Sequence, residues 1–176
     1  ICHGRTGEMR VQILSDLHFE FHRDNGFGIV NEIANTSVDV LVAAGYIATC
    51  ARLEDGLYSL ASRYPHVVYV PGNHEYYNSD MVRGNQLEGK KGRDNIHIIN
   101  NEVINSNGVN LIFSTLWSHI SPQKELIIKS HLSDFSQINY NGEAFRPKIY
   151  NELHKQALIF LDKTMQELNG SKNIVV

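Results

Sequence analysis

Two apolar runs constrain this chain more than anything else in it: "VDVLVAA" (Val38 to Ala44) and "HVVYV" (His66 to Val70). Apart from Asp39 and His66 they are continuous and rich in valine, the pattern of strands covered on both faces. Between them Leu53, Leu57, Leu60 and Ala61 recur at helical spacing. Ahead of them stand a short run, "VQIL" (Val11 to Leu14), and a helical face of Ile29, Val30, Ile33 and Ala34. The first 75 residues therefore read strand, helix, strand, helix, strand. That alternation calls for βαβ units and a parallel sheet.

The middle of the chain changes character. "IHII" (Ile96 to Ile99), "EVI" (Glu102 to Ile104) and "VNLIF" (Val109 to Phe113) are short strands, with Asn107-Gly108 as a hairpin signal between the last two. All three are expected to be antiparallel and to open a second sheet. From Pro147 to Leu168 a helix is expected, with Ile149, Leu153, Ala157, Phe160, Leu161, Met165 and Leu168 as its apolar stripe and Asn169-Gly170 as its end. No linker or repeat divides the chain, so one domain is expected over residues 9–176.

Ligands in open α/β sheets bind at the carboxyl ends of the strands. Three strands here end in polar signals: Asp16 and His18 after the first, Gly45 and Tyr46 after the second, and Gly72, Asn73, His74 and Glu75 after the third. An Asp-x-His pair offers a hard carboxylate and an imidazole to a divalent metal, and an asparagine amide oxygen adds a neutral ligand. His74 is placed to face a substrate, and Glu75 to accept hydrogen bonds that orient the loop. The alternative is that Asp16 and Asn73 merely cap short helices.

The ordered motifs Asp16-Leu17-His18 and Gly72-Asn73-His74-Glu75 resemble those of the calcineurin-like metallophosphoesterases, and "STLWSH" (Ser114 to His119) and "SDF" (Ser133 to Phe135) resemble a bacterial and phage branch of them. The resemblance covers roughly residues 9–176. It implies a two-sheet α/β/β/α sandwich and two divalent metal ions, Mn, Fe or Zn. It implies Asp16 and His18 on one metal, Asn73 on the other, and His74 binding the phosphate or protonating the leaving oxygen. The implied reaction is hydrolysis of a phosphate mono- or diester by a metal-bound hydroxide, between cations about 3.5–4 Å apart.

Two departures qualify that picture. The family pattern puts a bridging aspartate after Gly45, where this chain has Tyr46. A carboxylate gives one oxygen to each cation; a phenol has one oxygen, a pKa of about 10, and a rigid ring that intrudes on the site. The iron-binding tyrosine of the purple acid phosphatase relatives falls at a position occupied here by Thr49. One metal or none, and impaired catalysis, are therefore expected. The second departure is that the family's later histidine motifs are not among the residues given, so an incomplete C-terminus, exposed apolar surface and self-association are expected. Met9 is expected to be the natural start, with residues 1–8 a non-native leader.

Composition sets the remaining bounds. A net charge of −3 argues against a protein that coats nucleic acid, leaving a nuclease of the same lineage as a lesser reading. No apolar run is long enough to cross a membrane. Two cysteines, Cys2 and Cys50, are too few for a disulfide framework, and with no export signal a cytoplasmic location is expected. The triplets at Asn35 and Asn169 are read as chance, not glycosylation sites. His66, His97 and His154 are expected to be structural or solvated, His119 and His131 to border the cleft at most, and Trp117 to pack in the core or at the cleft rim. "GNQLEGKK" (Gly84 to Lys91) falls short of a phosphate-binding loop, ending in Lys91 where a Ser or Thr should be. The expected partner is a phosphate ester or phosphorylated ligand. The rival reading is a catalytically inactive, phosphoesterase-like binding or scaffold protein.

Overall fold

The structure is a computed structural model that describes residues 9–35, 37–82 and 93–176. Residues 1–8 with Cys2, Thr36 of one triplet, and the stretch 84–91 lie outside the described residues. Strand β1 (Val11–Leu14) leads through a single 3-10 turn (Phe19–Phe21) to helix α1 (Phe27–Ile33). Strand β2 (Val40–Ala44), helix α2 (Cys50–Ala61) and strand β3 (Val67–Val70) follow. The expected alternation is thus present. These three strands are parallel, in the order β1-β2-β3, with Ile13 opposite Val42 and Val42 opposite Val68.

Next come a 3-10 turn (His74–Tyr76), the two-residue strand β4 (Ser79–Asp80) and β5 (Ile96–Ile98). β5 joins the first sheet beside β3 and runs parallel to it, with His97 opposite Val68. This corrects the antiparallel expectation for "IHII". Three residues carry no directional signal; direction is set by where the connecting segment re-enters the sheet.

Strands β6 (Glu102–Ser106) and β7 (Val109–Phe113) form the expected antiparallel hairpin, Ser106 facing Val109 across Asn107 and Gly108. Both turn residues have positive φ, 51° and 76°, as a two-residue primed turn requires. A 3-10 turn (Pro122–Lys124) then leads to helix α3 (Glu125–His131), helix α4 (Asp134–Gln137), strand β8 (Ile138–Tyr140) and strand β9 (Glu143–Ala144). Helix α5 (Pro147–Glu167) starts with proline at its first turn, where the missing N–H costs nothing. Strand β10 (Lys172–Val175) pairs parallel to β7. The small β4-β8-β9 sheet was not foreseen.

Side chains alternate along β2 and β3 and so divide the core in two. Leu41, Ala43, Val67 and Tyr69 face α1 and α2, together with Phe19, Ile47, Leu53 and Leu60. Val40, Val42, Val68 and Val70 face the second sheet through Leu111 and Phe113. The arrangement is a helical layer on a parallel sheet on a second sheet, as the expected sandwich requires. A third cluster of Trp117, Ile120, Ile138, Phe145 and Tyr150 lies under the N-terminal half of α5. On that helix Thr164 is buried and Met165 is 43% exposed, the reverse of the expected stripe. Thr164 lies two turns beyond the buried Ala157, at the centre of the face, so the stripe follows position more than polarity. Exposed apolar side chains do occur, including Phe21 at 80% and Leu126 at 84%.

Candidate metal centre and cleft

The loops after β1 and β2 are tied together by their backbones. The amide of Asp16 donates to the Gly45 carbonyl (3.3 Å), that of His18 to Tyr46 (3.0 Å), and that of Phe19 to Ile47 (2.8 Å). Glu75, 2% exposed, completes the binding: Oε1 accepts from the Ile47 amide and Oε2 from the Gly72 amide, each at 2.8 Å. Glu75 is thus a loop-orienting acceptor, as expected. Burial pushes its carboxyl pKa upward, and these amide bonds oppose the shift. Gly45 has φ 72°, and a Cβ there would sit 3.1 Å from the Gly72 backbone, so only glycine suits this crossing.

Asp16, His18 and Tyr46 all adopt left-handed backbone conformations, with φ of 58°, 48° and 56°. Every other described non-glycine residue with positive φ is an asparagine, which tolerates that region. The exceptions therefore cluster at one place, each holding about 1–3 kcal/mol of backbone strain. Strain of this kind persists where surrounding bonds over-determine the loop, as the three backbone bonds and Glu75 do here.

The side chains converge. The Tyr46 ring stacks on His74 with centroids 4.0 Å apart and planes 19° apart. Its edge meets His18 at 5.4 Å, and His18 lies 5.3 Å from His74. Tyr77 covers His74 from another side at 4.2 Å. The Asn73 amide nitrogen donates to Asp134 Oδ1 (2.7 Å), and Tyr77 donates to the same oxygen (2.8 Å). With its nitrogen so engaged, Asn73 has its amide oxygen left to face a cation. Asp16 is exposed at the mouth, close enough to raise the Tyr46 pKa. The capping alternative fails: the turn after Asn73 has no side-chain cap bond, and the cap position of the first turn is His18, not Asp16.

Two residues that sequence reasoning did not single out belong to this centre. Glu20 Oε1 lies 3.0 Å from His18 Nδ1. Asp134, 1% exposed, fixes Asn73 and Tyr77 from the helix α4 side. Asp134 falls within the quoted "SDF"; Glu20 had no motif to flag it.

Protonation follows from burial. Desolvation raises the Tyr46 pKa above its usual value; a hydrogen bond with Asn73 opposes this, while Asp134, Asp16 and Glu75 add to it. Tyr46 is therefore a neutral phenol at neutral pH, not a tyrosinate. Desolvation, then the neighbouring His18, lowers the His74 pKa. Beside the centre a cleft of about 540 Å³ is lined by Tyr46, Asn73, Thr115, Trp117, Asp134 and Tyr150, among others. His119 instead lines a separate groove with His154, and the ring of His131 bonds the Ile127 carbonyl of its own helix at 2.8 Å. Trp117 is 7% exposed and packs against Tyr150 and Phe145, a core role. His154 bonds the Trp117 carbonyl, so it is a packing contact and not a solvated residue.

A family model for the calcineurin-like phosphoesterases matches residues 9–175. The chain belongs to that family. An uncharacterized protein of Acanthamoeba polyphaga mimivirus is 37% identical over 82 residues, covering 43% of this chain and 29% of that protein. The crystal structure of a phosphopantetheinyl hydrolase from Mycobacterium tuberculosis superposes with a TM-score of 0.70 over 96% of this chain and 67% of that one, at 18% identity. That likeness shows the shared calcineurin-like phosphoesterase fold.

The family is metal-dependent, and the donor set here can be tested against that. Oxygen and imidazole donors converge, and His18, Glu20 and His74 each bring one ligand atom, all within 4.8 Å of one another. Glu20 Oε2 and His74 Nδ1 are buried without a hydrogen-bond partner. These features fit one cation. They do not fit a pair bridged at position 46, because a phenol has one oxygen where a carboxylate gives one to each cation, and its ring packs on His74.

Proposed function

We propose that this chain is a hydrolase domain of the phosphoesterase lineage, built for phosphate mono- or diesters and impaired by Tyr46. The convergence of His18, Asn73 and His74 on one side chain at position 46, with the Asp16 charge nearby, carries the reading. Asp16, His18 and Asn73 are the proposed ligands of the family arrangement. Mn²⁺, Fe or Zn²⁺ is the proposed cation, one weakly held or none in this chain, since two unbridged cations repel. A bound cation would supply Lewis acidity and lower the pKa of its water.

The remaining roles fall to the chain's own groups. His74, held uncharged at neutral pH and clamped between Tyr46 and Tyr77, is suited to hydrogen-bond a phosphoryl oxygen more than to store a proton. Asp134 orients the Asn73 amide. Tyr46 narrows the space a phosphoryl group would enter. A second reading has one observation in its favour: a neutral phenol at the centre beside an open cleft suits a phosphoesterase-like protein that binds a phosphorylated ligand without turning it over.

Tyr46→Asp decides between them, assayed with Mn²⁺ on an aryl phosphate and an aryl phosphodiester, in the chain as given and in one extended past Val176. Restored two-metal clamping should lower the barrier by several kcal/mol, a gain of about a hundredfold or more. Equal rates for both forms would overturn the assignment of position 46 as the bridge.

A further inference from the structure

With tyrosine at position 46, we propose, the chain holds a single divalent cation on His18, Glu20 and His74, a ligand set distinct from the motif's Asp16, His18 and Asn73. The proposal rests on the phosphoesterase reading but concerns where the ion sits in this form. Ligand atoms on one such ion lie about 2.0–2.2 Å from it, so pairs of them are at most about 4.4 Å apart. The three candidate atoms already fall within 4.8 Å of one another, and His18 Nδ1 is 3.0 Å from Glu20 Oε1. Small side-chain rotations close the rest.

The unpartnered atoms supply an independent reason. Buried polar atoms almost always have a partner. Glu20 Oε2 and His74 Nδ1 are both buried and have none. One cation would satisfy the two together. Tyr46 and Tyr77 pack on the His74 ring, at 4.0 and 4.2 Å, and hold it where its edge can serve such an ion. Asn73 is held by Asp134 and Asp16 is exposed, so neither is needed to complete the set. Two neutral imidazoles and one carboxylate suit Zn²⁺ or Fe²⁺ better than Mg²⁺ or Ca²⁺. His74 as a ligand cannot also serve the substrate, which adds a second cause of impairment to the missing bridge.

Zinc titration by calorimetry, with elemental analysis after dialysis, tests this on the unmodified chain and on Glu20→Gln and Asp16→Asn. The expected result is one zinc per chain, weakened more than about tenfold in Glu20→Gln and weakened less in Asp16→Asn. Far-UV circular dichroism checks that each variant is folded. As a measurement needing no variant, the Co²⁺-loaded chain should show paramagnetically shifted ring protons from two histidines. Binding lost in Asp16→Asn but kept in Glu20→Gln overturns the proposal, as does a cobalt spectrum with one shifted histidine or a folded chain that takes up no zinc. These readouts are separate from Tyr46→Asp turnover. A Tyr46→Asp gain with a silent Glu20→Gln sinks only the triad, and triad binding without that gain sinks only the assignment of position 46 as the bridge.

Discussion

Glu75 keeps the centre in shape without any ion. Its two carboxylate oxygens hold the Ile47 and Gly72 amides, one from each of two loops that cross at Gly45. Removing the carboxylate leaves two amides without their partner, that of Ile47 buried and that of Gly72 half-buried at the cleft, and an unmet buried donor costs about 1–3 kcal/mol. Glu75→Ala should therefore lose roughly 2–5 kcal/mol of stability, read as a lower urea midpoint at unchanged slope. Glu75→Gln keeps one carbonyl acceptor and should lose less. A Glu75→Ala protein as stable as the parent would mean that the two amides find other partners. Tyr46 acts on the same small scale. Its ring stacks on His74, and that packing fixes His74 whether or not a cation arrives.

Between elements, β3 and β5 bring His66 and His97 together, with ring centroids 5.8 Å apart. Burial lowers both pKa values from 6.5, and His66 lowers that of His97 further. Depressed folded-state values mean that the unfolded chain binds more protons as the pH falls through 6.5. The stability these neutral rings contribute is fully present above that pH and is lost below it, until the folded values are passed. The urea midpoint should thus fall between pH 7.5 and 5.5, above the range where carboxylates titrate, and less steeply in a His66→Gln, His97→Gln double variant. Parallel slopes in the two proteins would refute this. Elements also differed in how plainly the sequence announced them. β2 and β3 were legible because burial on both faces leaves unbroken apolar runs. β5 was legible as a strand but not in direction. The β8-β9 hairpin could have been found: Asn141-Gly142 joins it with φ of 52° and 86°, the signal that was read correctly at Asn107-Gly108. It was passed over because two- and three-residue strands carry too little alternation to flank it. In the centre, Asp16, His18, Asn73 and His74 were legible from motifs, whereas Glu20 enters only through the left-handed turn at Asp16 and His18, which no residue pattern specifies.

Across the whole molecule, the layered sheets and the cluster under α5 are distinct apolar bodies joined at the centre. Asp134 is the strut between them, rooted in helix α4 beside the third cluster and bonded to Asn73 at the end of β3. Loosening that cluster should therefore reach the centre without touching it. Phe145, 1% exposed, packs on Trp117 and Phe135 within the cluster, and a buried Phe→Ala change costs about 3–5 kcal/mol. Trp117 is the chain's one tryptophan, so its emission reports this body specifically, while far-UV circular dichroism reports the sheets and helices together. In Phe145→Ala the Trp117 transition in urea should come at lower concentration than the dichroism transition, because the cluster opens ahead of the valine-rich strands. Coincident transitions would show instead that the cluster and the layered sheets unfold as one unit, with Asp134 binding them too tightly for either to open alone.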